Sequence, residues 1–198
     1  TDNIVFDGVG TTAANITRVL TNIVNGPDIK TSGIDARIDY ELEPFSNGAL
    51  LSFGADSTYV IEYEVGDYEI SGVTITGGDI VGQFNRSNPF RSMPQWKANA
   101  YANLELGDHN FRAVMRHISD YDDERPASAR GGVAATIDAQ TTFDLHYNWF
   151  MPYDIDLSLS VVNVTDEDPP LAAFDLNYDP YTHDPLGRTI KVGLKKKF

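Results

Sequence analysis

Gly187-Arg188-Thr189-Ile190-Lys191-Val192-Gly193-Leu194-Lys195-Lys196-Lys197-Phe198 closes the chain in a near-regular alternation. Ile190, Val192, Leu194 and Phe198 share one parity, and Thr189, Lys191, Gly193, Lys195 and Lys197 share the other. A strand turns successive side chains to opposite faces, so this segment has one apolar face and one wet face. A soluble protein gains little from an unpaired amphipathic edge strand, which invites aggregation. A strand closing a membrane barrel, with lipid on one side and water on the other, accounts for the alternation and for the aromatic terminus. Lys196 breaks the apolar parity near the end, where a long ammonium chain snorkels to the headgroups.

The same alternation recurs upstream. Ile34, Ala36, Ile38, Tyr40 and Leu42 oppose Asp35, Arg37, Asp39 and Glu41. Leu51, Phe53, Ala55, Tyr59, Ile61, Tyr63 and Val65 oppose Ser52, Asp56, Thr58, Glu62 and Glu64. Trp96 to Leu106 alternates against Lys97, Asn99, Tyr101, Asn103 and Glu105, and 110–121 does so less cleanly around Arg112 and Arg116. Ile137 to Trp149 opposes Asp138, Gln140, Asp144 and His146, and Ile155 to Val161 opposes Asp156, Ser158 and Ser160. No helical period competes, so the expected class is all-β. Charges on one parity suit a wet lumen. Tyr40, Tyr59, Tyr63, Trp96, Tyr121, Tyr147 and Trp149, towards strand ends on the other parity, suit interfacial girdles. Ordinary sheet aromatics are the alternative.

Composition narrows the partners. The chain of 198 residues carries 15 Lys+Arg against 29 Asp+Glu, a net charge of −14, which argues against nucleic acid. No run of about 18 apolar residues is present, so a transmembrane helix is excluded; a membrane barrel is not. Without cysteine there is no disulfide scaffold or thiolate zinc site. The start, Thr1-Asp-Asn-Ile-Val-Phe-Asp7, has neither a basic region nor an apolar core of a signal peptide.

Connections alternate in length. Residues 44–48, 107–109 and 152–154 read as tight turns, whereas 66–91, 123–136 and 165–186 are long and rich in Gly, Asp, Asn and Pro. Outer-membrane barrels have this layout, with long loops outside and turns in the periplasm. Near the start, Asn25-Gly-Pro-Asp28 reads locally as a hairpin turn. The preferred reading is one long strand over about 17–42 with a bulge near Asn25–Pro27, and residues 1–7 as the end of its neighbour. About eight strands are expected in all.

Asn163-Val-Thr-Asp166, Asp168-Pro-Pro170, Tyr178-Asp179, Gly187-Arg188 and the terminal Phe198 resemble the C-terminal end of TonB-dependent outer-membrane receptors. Asn25-Gly26 with Ser32-Gly-Ile-Asp35, and Pro94-Gln-Trp-Lys-Ala-Asn99, resemble strands of the same barrels. The resemblance implies a transmembrane antiparallel barrel of roughly 22 strands, an N-terminal plug domain and a short TonB-contacting segment. This chain would be the C-terminal portion of that barrel. The resemblance also implies bacterial outer-membrane localisation and TonB-coupled uptake of a bulky scarce nutrient such as a metal chelate, cobalamin or an oligosaccharide. Its partners would be the remaining strands and plug, TonB through the plug, outer-membrane lipid and lipopolysaccharide, and the assembly machinery. Ile190, Val192, Leu194 and Phe198 would form the assembly signal.

Catalysis has no constellation: His109, His117, His146 and His183 are scattered without metal spacing, and no cofactor is expected. Asp166, Asp168, Asp175 and Asp179 are candidate Ca²⁺ ligands, with turn capping as the alternative. Phe84, Arg86, Asn88, Phe90 and Arg91 in one loop, and Tyr178, Tyr181 and His183 in another, are candidate ligand contacts or loop packing. Asp35, Arg37, Asp39, Glu62, Glu64, Arg112, Arg116, Asp138 and Asp144 are expected to line the lumen and meet the plug. Two rival readings are a stand-alone small barrel with a structural or adhesive role and a soluble β-sandwich binding module.

Overall fold

A computed structural model of the chain describes residues 4–9, 11–19, 25–70, 72–84 and 92–197. Seven long strands follow one another: β1 (Ile29–Glu41), β2 (Leu50–Val65), β3 (Trp96–Leu106), β4 (His109–Ile118), β5 (Gln140–Met151), β6 (Ile155–Val162) and β7 (Thr189–Lys196). Each pairs antiparallel with its chain neighbour, so spatial order equals chain order, and the short strand Gly78–Asp79 adds to β2. The class is all-β, as expected. Among the described residues neither β1 nor β7 has a partner on its outer side, and the sheet is open.

Register carries one chemistry across the sheet. Directly paired residues share a face, and the row Tyr40–Phe53–Ala102–Ala113–Leu145–Val161–Ile190 runs through all seven strands. The opposite face carries Arg37 beside Asp56, Asp56 beside Asn99, Asn99 beside Arg116, and His146 beside Ser160 and then Lys191. The apolar face has no second layer over it among the described residues: Ile38 is 65% exposed and Leu194 72%.

Two expectations about the first strands are corrected. Ile16–Val19 pairs with Ile4–Phe6, and residues 25–28 lie outside any strand, so no continuous strand spans 17–42. Pro27 lacks the N–H that a ladder needs, which favours a break there. The bulge lies further on. Ser32 faces Glu62 while Gly33 faces Val60, leaving Ile61 as the extra residue of β2. Gly33 is required at this point, because a Cβ there would lie 2.9 Å from the Tyr59 carbonyl oxygen.

Connections are short at one end of the sheet and long at the other. β4 follows β3 through Gly107 (φ 56°), and β6 follows β5 through Tyr153 and Asp154, both at positive φ. At the other end the long loops fold on each other. Thr136–Ile137, Tyr121–Asp122, Gln83–Phe84 and Ser92–Met93 make a separate four-stranded sheet. The buried apolar cluster is there, not on the large sheet: Phe84, Tyr121, Ile137 and Ala172, with Phe174 against it. Tyr121 is therefore core of this loop cap and not a girdle residue. β4 ends at Ile118 and β5 begins at Gln140, so Ile137 and Asp138 also leave the long strands.

Candidate functional site

Two regions bring polar groups together: the loop cap and the charged face of the sheet. In the cap, Asp179 and His183 of the 163–188 loop meet Tyr121, Ser92 and Gln140 from other segments. Tyr121 Oη lies 3.0 Å from both Asp179 Oδ2 and His183 Nε2. Ser92 Oγ donates to Asp179 Oδ2 at 2.5 Å, and the Tyr181 amide donates to its Oδ1 at 3.0 Å. His183 Nδ1 faces Gln140 Oε1 at 2.9 Å, and Gln140 Nε2 donates to the Asp168 carbonyl at 3.2 Å. The Tyr121 and His183 rings stack.

Burial sets the electrostatics of this network. It acts to raise the Asp179 pKa, but hydrogen bonds from Ser92, Thr182, the Tyr181 amide and Tyr121 outweigh it and hold the carboxyl below its usual range. Burial lifts the Tyr121 phenol well above its ordinary value, with the Asp179 charge adding to it. The His183 imidazole is pushed down by burial, against the pull of Asp179 and with a further push from Lys97. A second tie joins the loops: Arg125 forks onto Asp123, with Nε donating at 2.7 Å, and donates to the Ala173 carbonyl at 2.7 Å.

The base of the 163–188 loop explains several of its sequence motifs as one structure. Asn163 sits in the left-handed region (φ 53°), with its amide bonded both ways to the Glu167 backbone. Its own N–H donates to Asp144 Oδ1 at 3.0 Å. Asp166 accepts from the Arg188 amide at 2.6 Å, and a Cβ on Gly187 would lie 2.8 Å from the same carboxylate. The Asn-x-x-Asp and Gly-Arg segments therefore lock the two ends of the loop together.

The cap changes the reading of the loop candidates. Phe84 and His183 are buried, 2% and 4% exposed, and serve the cap interior, not a ligand surface. Tyr181 is exposed, edge-on to Phe174, and Tyr178 is half-buried. Arg86, Asn88, Phe90 and Arg91 lie outside the described residues, as does Phe198. The four aspartates proposed for Ca²⁺ do not converge: Asp166 turns to Arg188 and Asp179 is enclosed by the network. Among the described residues no group of three or more His, Cys, Asp or Glu is arranged to hold a metal.

On the sheet, Asp35, Arg37, Asp39, Arg112, Arg116 and Asp144 share the charged face, as expected. Arg37 Nε donates to Asp39 at 2.6 Å, Thr58 to Asp35 at 2.6 Å and Asn99 to Asp56 at 2.9 Å. The guanidinium of Arg112 lies 4.3 Å over the Tyr101 ring. Asp144 is fully buried between Arg116 and the Asn163 amide, so it braces the loop base and has no surface for a plug. Asp138 is an exposed loop residue. Glu62 and Glu64 are corrected as well. Past the bulge they face Ser32 and Lys30, whose even positions share the face of Ile34, and Lys30 pairs with Glu62 at 2.7 Å. Ile190, Val192 and Leu194 are exposed on the apolar face of β7.

Sequence reasoning missed Gly54, Ser92 and the Asp123–Arg125 pair, and it placed Tyr101 and Gln140 on the polar parity and Tyr121 among the girdle aromatics without their contacts. A glycine inside an alternating strand is a signal of close approach, and Gly54 carries it. The cap contacts have no local signature. Compared with known proteins, the chain matches no family model, no curated protein and no solved structure.

Proposed function

We propose that this chain is the C-terminal part of the barrel of a TonB-dependent receptor in the bacterial outer membrane, serving energised uptake of a bulky scarce nutrient. One observation carries the reading: a single broad sheet has one face apolar and, among the described residues, uncovered, and the other charged and internally hydrogen-bonded. In water, an apolar surface of that breadth is an aggregation hazard. Against lipid it is at home, with the charged face turned to a wet, plugged lumen.

The aromatic rows support the same orientation. Tyr59 pairs with Trp96 at the long-loop end, while Trp149 pairs with His109, itself opposite Leu106, at the short-turn end. From Trp96 to Leu106, at about 3.3 Å per residue and a tilt of about 40°, the height is about 25 Å, that of an outer-membrane apolar band. The loop cap then stands at the outer mouth, with Tyr178 and Tyr181 the described candidates for nutrient contact.

The rival readings fare less well on particular grounds. A sandwich needs a second sheet on the apolar face, and among the described residues none lies there. A stand-alone barrel of β1–β7 would close two strands running the same way, whereas single-chain bacterial barrels use even numbers of antiparallel strands.

The test is to sequence the polypeptide upstream of Thr1 and to fractionate membranes of the source bacterium. A plug-like domain with a TonB-contacting segment, together with recovery in the outer membrane, is the expected result. Recovery in the soluble fraction would sink the proposal.

A further inference from the structure

We infer that the open side of β7 receives a separate strand of defined chemistry: apolar residues beside Ile190, Val192 and Leu194, and carboxylates beside Lys191 and Lys195. The inference rests on the reading of the chain as part of a larger barrel and names the neighbour at one edge.

Within the sheet, three carboxylates of the polar face are matched from the adjacent strand. Asp35 takes Thr58, Asp56 takes Asn99, and Asp144 takes Arg116. At β7 the pattern stops. Lys191 stands opposite Ser160, and Lys195 opposite Asp156, which Lys197 approaches at 4.0 Å. Among the described residues neither Lys191 nor Lys195 makes an ion pair, and both are exposed. Opposite charges directly across a strand pair are favourable, and like charges are not. A basic strand beyond β7 would face the unmatched ammonium of Lys191 and that of Lys195, which shares the facing Asp156 carboxylate with Lys197; an acidic one completes the rows. On the other face Ile190, Val192 and Leu194 are 71%, 69% and 72% exposed, so the neighbour needs apolar residues at alternate positions to continue the band.

The chain itself contains a strand of that character. β1 carries Asp35, Asp39 and Glu41. Its seating against β7 would be parallel, because the antiparallel steps from β1 through β2, β3, β4, β5 and β6 to β7 leave the two running the same way. Parallel pairing is slightly the weaker kind, and we assign the site to a different, antiparallel strand.

Zero-length carbodiimide cross-linking tests this in the complete polypeptide in isolated membranes, since the reagent joins an amine only to a carboxylate in direct contact. Peptide mapping should find Lys191 or Lys195 joined to an Asp or Glu outside residues 29–196, and Lys191→Arg with Lys195→Arg should abolish the link. Links to Asp35, Asp39 or Glu41 of the same chain would mean that the sheet closes on itself, and would overturn both the inference and the larger-barrel reading. Absent links with the outward amides of β7 protected from hydrogen exchange would overturn the inference alone, because a neighbour would be present without carboxylates. Freely exchanging amides would remove the neighbour and the reading with it.

Discussion

Tyr101 donates its hydroxyl to Asp39 at 2.8 Å, although the whole of β2 lies between their strands. The reach is possible because the residue of β2 between them is Gly54, paired with Asp39 on one side and Tyr101 on the other. A Cβ at Gly54 would lie 2.6 Å from Asp39 Oδ1, 2.7 Å from Tyr101 Cε1 and 2.8 Å from the Ile38 carbonyl oxygen. The ring thus covers a bare stretch of backbone, a known device for a glycine within a sheet.

Gly54→Val should therefore destabilise the sheet by about 1–3 kcal/mol, the usual cost of overpacking. Urea unfolding in detergent, followed by tryptophan fluorescence, would measure it. Tyr101→Ala should also be destabilising, and the double variant should lose less than the sum, because the ring that the introduced isopropyl group would strike is gone. Strict additivity would mean that Tyr101 does not cover Gly54.

Asn163→Ala removes both bonds to Glu167 and puts Ala at a positive φ, so a loss of about 1–3 kcal/mol is expected. Asn163→Gly should recover the backbone part of that loss and not the hydrogen-bonded part. Limited proteolysis of the 163–188 loop provides the readout. Equal protection in wild type and Asn163→Ala would contradict the locked loop base.

The faces of β3, β5, β6 and β7 were legible in the sequence because alternation and register are the same regularity seen along and across strands. The bulge at Ile61 was not. Ile61, Tyr63 and Val65 continue the apparent period unbroken, yet one extra residue exchanges the faces, and only the pairing partner on β1 reveals it. The cap was equally hidden. Ser92 and Asp179 are 87 residues apart, and Tyr121 and Ile137 read as ordinary strand residues until the loops are folded together.

Acid should loosen the cap in two stages. His183 has a folded pKa below its unfolded value of about 6.5, so the opened loop takes up a proton first and stability falls as pH drops below that value. Asp179 is likewise depressed, so its contribution, present above about pH 3.9, is lost as pH falls through its folded pKa. Each stage changes the opening constant by at most about tenfold per pH unit. Hydrogen exchange of the Tyr181 and His183 amides against pH would follow it. His183→Gln should remove the upper stage and Asp179→Asn the lower. A cap that tightens on acidification would contradict the assignment.

The central claim is that the apolar face meets lipid and the charged face meets water, and neighbouring residues of β6 test it most directly. Leu159 pairs with Val192 on one face and Ser160 with Lys191 on the other. In the complete protein refolded into bilayers, Leu159→Arg should cost about 2–4 kcal/mol, and Ser160→Arg much less. Equal costs, or a larger cost for Ser160→Arg, would contradict the account.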